Sequence, residues 1–201
     1  WSELNSTYFF NEKTGFTVGL GLCIKTTDGG KTWHSFNIGK NNISKISFVN
    51  QQVGFSLDLT GGLFKTEDGG QTWKDISVSE EKITGDFCFF SEKTGYANDL
   101  NHLLKTTDGG NSWNLVESFE NPINYIYFVN ESIGLVISKK YLGESGIWNP
   151  WKHIVKFTND GGETWVTKEY EIEELNERCL FSKDNIVYSL GHDKIFKLII
   201  E

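Results

Sequence analysis

The sequence predicts an all-β protein, a five-bladed β-propeller whose last blade is incomplete. Three observations support this prediction: a motif that recurs about every 40 residues, short strand-like stretches between turn residues, and no segment with a convincing helical period. The 201 residues are 38% hydrophobic and 14% aromatic, so the chain can bury a core. This length is usual for a single all-β domain.

The recurring motif is an octamer that begins with Thr and ends with Trp. Its aspartates follow one another at intervals of 40, 40 and 52 residues. An apolar stretch that ends in lysine precedes each copy, and about fifteen residues after the Trp comes an apolar pair, a small polar residue, a short turn and a Gly-apolar pair. The four octamers occupy residues 26–33, 66–73, 106–113 and 158–165.

Each repeat is predicted to form four short strands. In the second repeat these are residues 43–49, 53–59, 63–67 and 71–78, which are rich in Ile, Val, Phe, Thr and Trp and are bounded by turn residues. A fixed period with four strands per unit predicts a propeller, because no blade can bury its faces alone. The repeats span about 1–40, 41–80, 81–120, 121–172 and 173–201, within one domain of residues 1–201.

The Asp-Gly-Gly centre of the octamer predicts the hairpin turn between the third and fourth strands. The aspartate can accept hydrogen bonds from backbone N–H groups, and the glycine pair can adopt positive φ without strain. The Trp is large enough to fill a gap between neighbouring blades. Four copies in one small chain indicate a structural device. The fifth repeat has no octamer and no fourth strand, so its blade should be incomplete.

The octamer T-x-D-G-G-x-[ST]-W resembles the Asp-box, also called the bacterial neuraminidase repeat. With the preceding I-x-K or L-F-K and the following F-V-N-x-x-x-G-F, the chain resembles photosystem II stability and assembly factors over nearly its whole length. The resemblance implies an exported propeller whose Asp-box hairpins lie opposite the ligand face. The same repeat occurs in sialidases, xyloglucan hydrolases and sortilin-type receptors, so it leaves the chemistry open.

Charge and composition exclude several classes of function. The formal charge is −8, and the 19 basic residues include a single arginine, Arg178. An acidic chain lacks the basic face of a nucleic-acid binder, so we expect no nucleic-acid partner. Sialidases hold the carboxylate of their sugar with three arginines. A chain with a single arginine cannot form this triad, so sialidase activity is excluded. No apolar run has the length of a transmembrane helix. We expect no cofactor, no metal and a monomer.

Cysteine usage adds little to the functional prediction. Cys23, Cys88 and Cys179 are odd in number and lie in apolar stretches. We therefore expect buried free thiols, with one disulfide and a leftover thiol as the alternative.

The predicted ligand face consists of the strand connections opposite the Asp-box hairpins. Asp58 and Asp99 share a position four residues after a repeat glycine, and His102 and His153 each precede the repeat lysine by three residues. The fourth repeat is longer because of a predicted loop over about 138–152, whose aromatic residues could bind a ligand or pack on their own blade. The candidate ligand-binding residues are Asp58, Asp99, His102, Tyr141, Trp148, Trp151 and His153.

These features predict an exported, non-catalytic propeller that serves as a binding or assembly scaffold for a protein or a glycan. Its expected location is secreted, periplasmic or at the cell surface. The alternative is a small carbohydrate-active enzyme of the glycoside hydrolase kind. Such an enzyme would need two carboxylates about 5 to 9.5 Å apart on the ligand face.

Overall fold

The structure is a computed structural model, and it describes residues 4–19, 22–39, 41–78, 83–143, 151–171, 180–183, 186–190 and 195–198. In these ranges the chain forms strands in five sheets, and in every sheet the strands follow one another in chain order. The first sheet contains β1 (Leu4–Phe9), β2 (Gly15–Gly19), β3 (Leu22–Thr26) and β4 (His34–Ser35). The second contains β5 (Ile43–Phe48), β6 (Gly54–Asp58), β7 (Leu63–Thr66) and β8 (Lys74–Asp75).

The third sheet contains β9 (Phe87–Phe89), β10 (Gly95–Asp99), β11 (His102–Thr106) and β12 (Asn114–Ser118). The fourth contains β13 (Ile123–Phe128), β14 (Gly134–Tyr141), β15 (Trp151–Thr158) and β16 (Val166–Glu171). The fifth contains β17 (Leu180–Lys183), β18 (Ile186–Leu190) and β19 (Ile195–Leu198). Within the described residues, no helix has the length and hydropathy that a membrane span requires.

The prediction of five blades is wrong, because the described residues form four complete blades. Four sheets possess the four strands of a blade, whereas the described part of the fifth sheet has three. A complete blade needs a fourth strand, which in each of these four sheets follows the Asp-Gly-Gly hairpin.

The second sheet shows how closely the pattern predicts strand boundaries. Its first three strands agree with the predicted ranges to within one residue at each end. The fourth strand, β8, has only two residues, whereas the pattern predicts eight over 71–78. Residues 71–72 belong instead to the preceding turn, where they donate hydrogen bonds to Asp68. The outer strand is therefore a short edge that follows directly on the Asp-box.

The second strand of each blade lies in the core. In β2 and β6 every residue is buried. The glycine that begins these strands is needed for packing, since a Cβ at Gly54 would overlap the ring of Phe48. The same close approach joins Gly15 and Phe9. The repeated Phe and Gly are therefore a matched pair in which the missing side chain makes room for the ring.

The long connection predicted in the fourth repeat is strand at both of its ends. β14 and β15 have eight residues each, and their register runs to the pair formed by Tyr141 and Trp151. Residues 138–141 and 151–152, predicted as loop, are therefore strand. Trp148 lies outside the described residues.

The chain divides into two compact units. One consists of residues 1–95 and 106–113, and the other of residues 96–105 and 114–201. Every side-chain contact described below joins residues of the same unit. That the whole chain forms a single domain stays a prediction.

Candidate functional site

The four Asp-boxes share one hydrogen-bond pattern. In the second, the carboxylate of Asp68 accepts bonds from the Thr72 N–H at 2.9 Å and from the Thr72 hydroxyl at 2.6 Å. The Thr66 hydroxyl donates to the same carboxylate at 2.8 Å and accepts from the Gly70 N–H at 2.9 Å. Gly70 has φ +80°, as the predicted turn requires. The equivalent aspartates are Asp28, Asp108 and Asp160.

This geometry makes the Asp-box aspartates structural. The predicted hairpin between the third and fourth strands is confirmed in all four blades. Its glycine N–H also bonds to the turn between the first two strands, as when the Gly69 N–H donates to the Gln52 carbonyl at 2.8 Å. That turn is held by Asn50, whose side-chain oxygen accepts from the Gln52 and Val53 N–H groups at 2.8 Å. The small polar residue of the repeat is thus a turn cap.

Acid should weaken the Asp-boxes. Hydrogen bonds from Thr32 lower the pKa of Asp28 to about 2, and those from Thr72 and Thr164 do the same for Asp68 and Asp160. Because these pKa values lie below the unfolded value of about 3.9, the carboxylates stabilise the fold above that pH and lose this effect as the pH falls towards 2. We expect the midpoint of thermal unfolding to fall across this window.

The Asp28→Asn variant tests this expectation, because an amide cannot be protonated in this range. Its unfolding midpoint should depend less on pH than that of the wild type when both are followed by tryptophan fluorescence. Equal pH dependence of the two proteins would show that the first Asp-box does not contribute.

Asp58 ends β6 and caps the turn to β7. Its Oδ1 accepts bonds from the Thr60 and Gly62 N–H groups, both at 2.8 Å, and its Oδ2 accepts from the Asn41 side chain at 2.8 Å. Burial opposes ionisation of this carboxyl, but the hydrogen bonds from Asn41, Gly62 and Thr60 outweigh it and lower its pKa. Asp58 is therefore an ionised turn cap.

Asp99 and His102 face each other across the equivalent turn of the third sheet. Asp99 Oδ1 lies 2.7 Å from His102 Nδ1 and accepts a longer bond from the His102 N–H at 3.3 Å. The predicted equivalence of Asp58 and Asp99 is confirmed, because each ends the second strand of its sheet and accepts bonds from the following turn. Asp99 and His102 are much more exposed than Asp58.

Tyr141 and Trp151 form an exposed aromatic pair in the fourth sheet. They lie opposite each other in the register of β14 and β15, with ring centroids 5.0 Å apart and planes inclined by 56°. Tyr141 is 58% exposed and Trp151 is 40% exposed. Cross-strand aromatic contacts of this kind stabilise a hairpin while leaving ring surface open to solvent.

His153 lies two residues beyond Trp151 on the same strand, and its side chain is buried. It pairs in register with Lys139 on one side and Tyr170 on the other. Its sequence position matches that of exposed His102, but the strands of the fourth sheet continue past this point and those of the third do not. The structure thus groups Tyr141, Trp151 and His153, and separately joins Asp99 to His102.

Three lysines beside the aromatic pair were not predicted as site residues, although the sequence contains a pattern that indicates them. Lys139, Lys140 and Lys152 lie on the same hairpin as the aromatic pair. With Lys156 they give β14 and β15 four basic residues and no acidic one, in a chain of formal charge −8. The short strings Ser-Lys-Lys-Tyr and Trp-Lys-His contain this information, which becomes apparent once the strands are paired.

A cleft of about 700 Å³ opens beside Asp58 in the first unit. Its lining includes Phe64, Trp73 and a second carboxylate, Asp75. Asp75 accepts bonds from the N–H and hydroxyl of Ser77 at 2.9 and 2.5 Å. Both carboxylates of the cleft are thus engaged in local turns. Among the described residues, no cluster of three or more His, Cys, Asp or Glu side chains could hold a metal ion.

Cys23 is a free thiol, as expected, and both Cys23 and Cys88 are partly buried. Burial raises the pKa of Cys23. Cys179 lies outside the described residues.

The BNR/Asp-box repeat family model matches residues 24–35, which contain the first Asp-box. The structure of YCF48 from Cyanidioschyzon merolae shares 17% identity with this chain at a TM-score of 0.66, covering 94% of this chain and 63% of that one. A structure of YCF48 bound to D1 peptide shares 17% identity at a TM-score of 0.67, covering 98% and 63%. The Niastella koreensis GH74 enzyme shares 19% identity at a TM-score of 0.64, covering 93% and 34%.

The chain therefore contains a segment that matches the Asp-box repeat model, and it has a β-propeller fold. Its predicted resemblance to photosystem II assembly factors is confirmed at the level of fold by the two YCF48 structures. It spans 63% of the length of the YCF48 chains. No curated protein matches it in sequence.

Proposed function

We propose that this chain is a non-catalytic scaffold that binds a peptide segment of a partner protein. The observation that carries the proposal is the exposed pair of Tyr141 and Trp151 on the extended hairpin. Aromatic side chains supply large contact areas at low entropic cost and dominate binding hot spots. The structure of YCF48 with D1 peptide supports the proposal, because a similar fold there binds a peptide.

The charges near the aromatic pair favour an acidic peptide. The two strands of the hairpin contain only basic ionisable groups besides His153 and Tyr141, and Lys140 is exposed. The rest of the chain is acidic, so it repels a negatively charged segment and leaves this edge as the favoured contact. Lys152 Nζ also lies 3.9 Å from a carboxylate oxygen of Glu169, a weak ion pair.

The geometry favours a peptide over a glycan. A sugar ring stacks on an open aromatic face. Here the two rings are inclined by 56° with centroids 5.0 Å apart, so each covers part of the other. An irregular peptide with an apolar side chain fits such a cleft between rings better than a flat sugar does. We include in the proposal the exported location that the family resemblance implies.

Peptide binding by the full chain tests this function. D1 peptide and a displayed random peptide library serve as the probes, and selection should enrich peptides that combine acidic and apolar residues. Trp151→Ala should weaken the binding of a selected peptide by about thirtyfold, equivalent to about 2 kcal/mol. Leu59→Ala is the matched control, because Leu59 is exposed in the corresponding turn of the second sheet and its loss should leave affinity unchanged.

Two results would overturn the proposal. One is an unchanged affinity of correctly folded Trp151→Ala for the selected peptides. The other is binding to a glycan array with no peptide selected, which would make the chain a carbohydrate-binding protein.

A further inference from the structure

The tryptophan of the second Asp-box, Trp73, is held differently from its counterparts in the first and fourth boxes. In those boxes the indole N–H donates to a glycine carbonyl of the same hairpin, at 3.1 Å for both Trp33 and Trp165. The Nε1 atom of Trp73 is buried and has no hydrogen-bond partner among the described residues. A buried N–H without an acceptor costs free energy, so a native fold keeps one for a reason.

A phenylalanine of the first sheet takes the place that the tryptophan has in the first box. A Cβ built on Gly30 would lie 3.6 Å from the indole of Trp33. A Cβ built on the equivalent Gly70 would instead meet the ring of Phe16, at 2.7 Å. The ring of Trp73 lines the cleft of about 700 Å³ that was described above.

The lining of this cleft combines aromatic carbon with negative charge. Trp73 and Phe64 supply the aromatic rings, and Asp58 and Asp75 supply two carboxylates. None of the described residues in the lining is basic, and all of them belong to the first compact unit. The volume suits a small molecule or a long side chain. Aromatic rings beside carboxylates are the surroundings that an organic cation prefers.

The polar groups that remain available in the cleft are hydrogen-bond acceptors. Thr60 and Gly62 donate their N–H groups to Asp58. The side-chain nitrogen of Asn41 donates to Asp58 and to the Thr60 hydroxyl. In the described part of the chain, neither the Asn41 side-chain oxygen nor Oδ2 of Asp75 accepts a hydrogen bond. A ligand of this cleft therefore has to bring donors.

The cleft is a feature of the second sheet and not of the repeat. After Asp58 the turn continues with two glycines, residues 61–62, and both line the cleft. The corresponding turn of the third sheet has no glycine, and there His102 Nδ1 lies 2.7 Å from Asp99. The opening beside Asp58 thus depends on residues that the next sheet does not share, as is common for binding residues on loops.

We propose that this cleft binds an alkylammonium ion, that is, a lysine side chain or a small primary amine. An ammonium group has three donors and no acceptor, which matches the side-chain oxygens of Asn41 and Asp75. The two carboxylates and the indole of Trp73 favour its charge, and its alkyl chain can pack on the rings. The cleft belongs to the first unit and the aromatic pair of the fourth sheet to the second, so this inference does not rest on the proposed function.

An NMR titration of the isotope-labelled full chain tests the proposal. The probe is Nα-acetyl-lysine methylamide, and the control ligand is its norleucine analogue, which has the alkyl chain without the ammonium. The indole N–H signal of Trp73, assigned by its loss in Trp73→Phe, should shift saturably with a dissociation constant of about 1 mM or below. The norleucine analogue should not shift it. Pentylamine serves as a second amine: affinity equal to that of the lysine probe identifies a small amine as sufficient, and weaker binding identifies a lysine side chain.

A pair of charge variants locates the binding in the cleft. Asp75→Asn should weaken binding of the lysine probe by about tenfold, because it removes a charged acceptor. Glu12→Gln removes the same charge from an exposed turn of the first sheet and should leave the affinity unchanged. Unchanged affinity of Asp75→Asn overturns the proposal, and so do equal shifts with the lysine and norleucine probes. The absence of a saturable shift with either amine up to about 10 mM overturns it as well.

Discussion

Replacing Phe55 by alanine should lower the free energy of unfolding by about 3 to 5 kcal/mol, as for other fully buried aromatic residues. Phe55 has no exposed surface, and its ring stacks on Phe89 with an interplanar angle of 2°. The ammonium of Lys65 lies 5.9 Å from the ring centroid. The substitution therefore opens a cavity, removes an aromatic pair and leaves the lysine without its ring.

A leucine at the same position is the matched control. The fourth sheet has Leu135 where the second has Phe55, so the fold accommodates leucine after the repeat glycine. Phe55→Leu keeps most of the apolar volume and should cost less than about 1.5 kcal/mol. Leu59→Ala removes an exposed side chain and should change stability by less than about 0.5 kcal/mol.

Denaturant unfolding followed by tryptophan fluorescence measures these differences. Because each sheet of a repeat protein contacts mainly its neighbours, weakening the stacking of Phe55 on Phe89 can also split a single unfolding transition into two. A broadened or biphasic unfolding curve for Phe55→Ala would show that the sheets on either side of the Phe55–Phe89 contact then unfold separately. A loss below about 1 kcal/mol would contradict the role we assign to the stacked rings.

The sequence predicts the turns of this fold well because their chemistry is local. Within eight residues the hydroxyls of the two Asp-box threonines donate to the aspartate, and the first of them accepts from a glycine N–H, so the octamer alone specifies the hairpin. The equivalence of Asp58 and Asp99 likewise follows from their distance to a repeat glycine. Counting repeats failed for the blade number, since a blade needs four paired strands and the described part of the fifth sheet has three.

The aromatic pair shows where such local reasoning ends. Tyr141 and Trp151 are ten residues apart, and nothing in either short segment states that they face each other. Their contact depends on the register of β14 and β15, which is fixed by the buried pairs farther along the strands, such as Ile137 with Val155. The exposure of Phe9 is also invisible in the sequence, because its repeat position is the same as that of buried Phe48.

Replacing Asp58 by alanine should lower the free energy of unfolding by about 2 to 4 kcal/mol. The carboxylate is almost fully buried and accepts bonds from the backbone N–H groups of Thr60 and Gly62 and from the side chain of Asn41. Alanine removes the acceptor of these three part-buried hydrogen bonds, and a donor left unsatisfied costs more than its hydrogen bond contributes when formed. Circular dichroism on heating and denaturant unfolding measure the loss.

Asp58→Asn removes the negative charge of this turn cap but keeps the size of the side chain, so it shows how much of the stabilisation is due to the charge. The amide oxygen can still accept bonds from Thr60 and Gly62, but the amide nitrogen then faces the side-chain nitrogen that Asn41 donates to Asp58. We therefore expect a loss smaller than that of Asp58→Ala, about 1 to 2 kcal/mol. Because the pKa of Asp58 is lowered by folding, its stabilising effect holds above about pH 3.9 and is lost in acid.

The same pair of variants tests whether Asp58 serves the fold or a reaction. Catalytic carboxylates are commonly held at some cost to stability, so removing one leaves stability unchanged or raises it. A turn cap behaves in the opposite way. Unaltered or increased stability of Asp58→Ala would contradict the cap and favour the glycoside hydrolase alternative. A large loss, with Asp58→Asn between that variant and the wild type, would identify Asp58 as a turn cap.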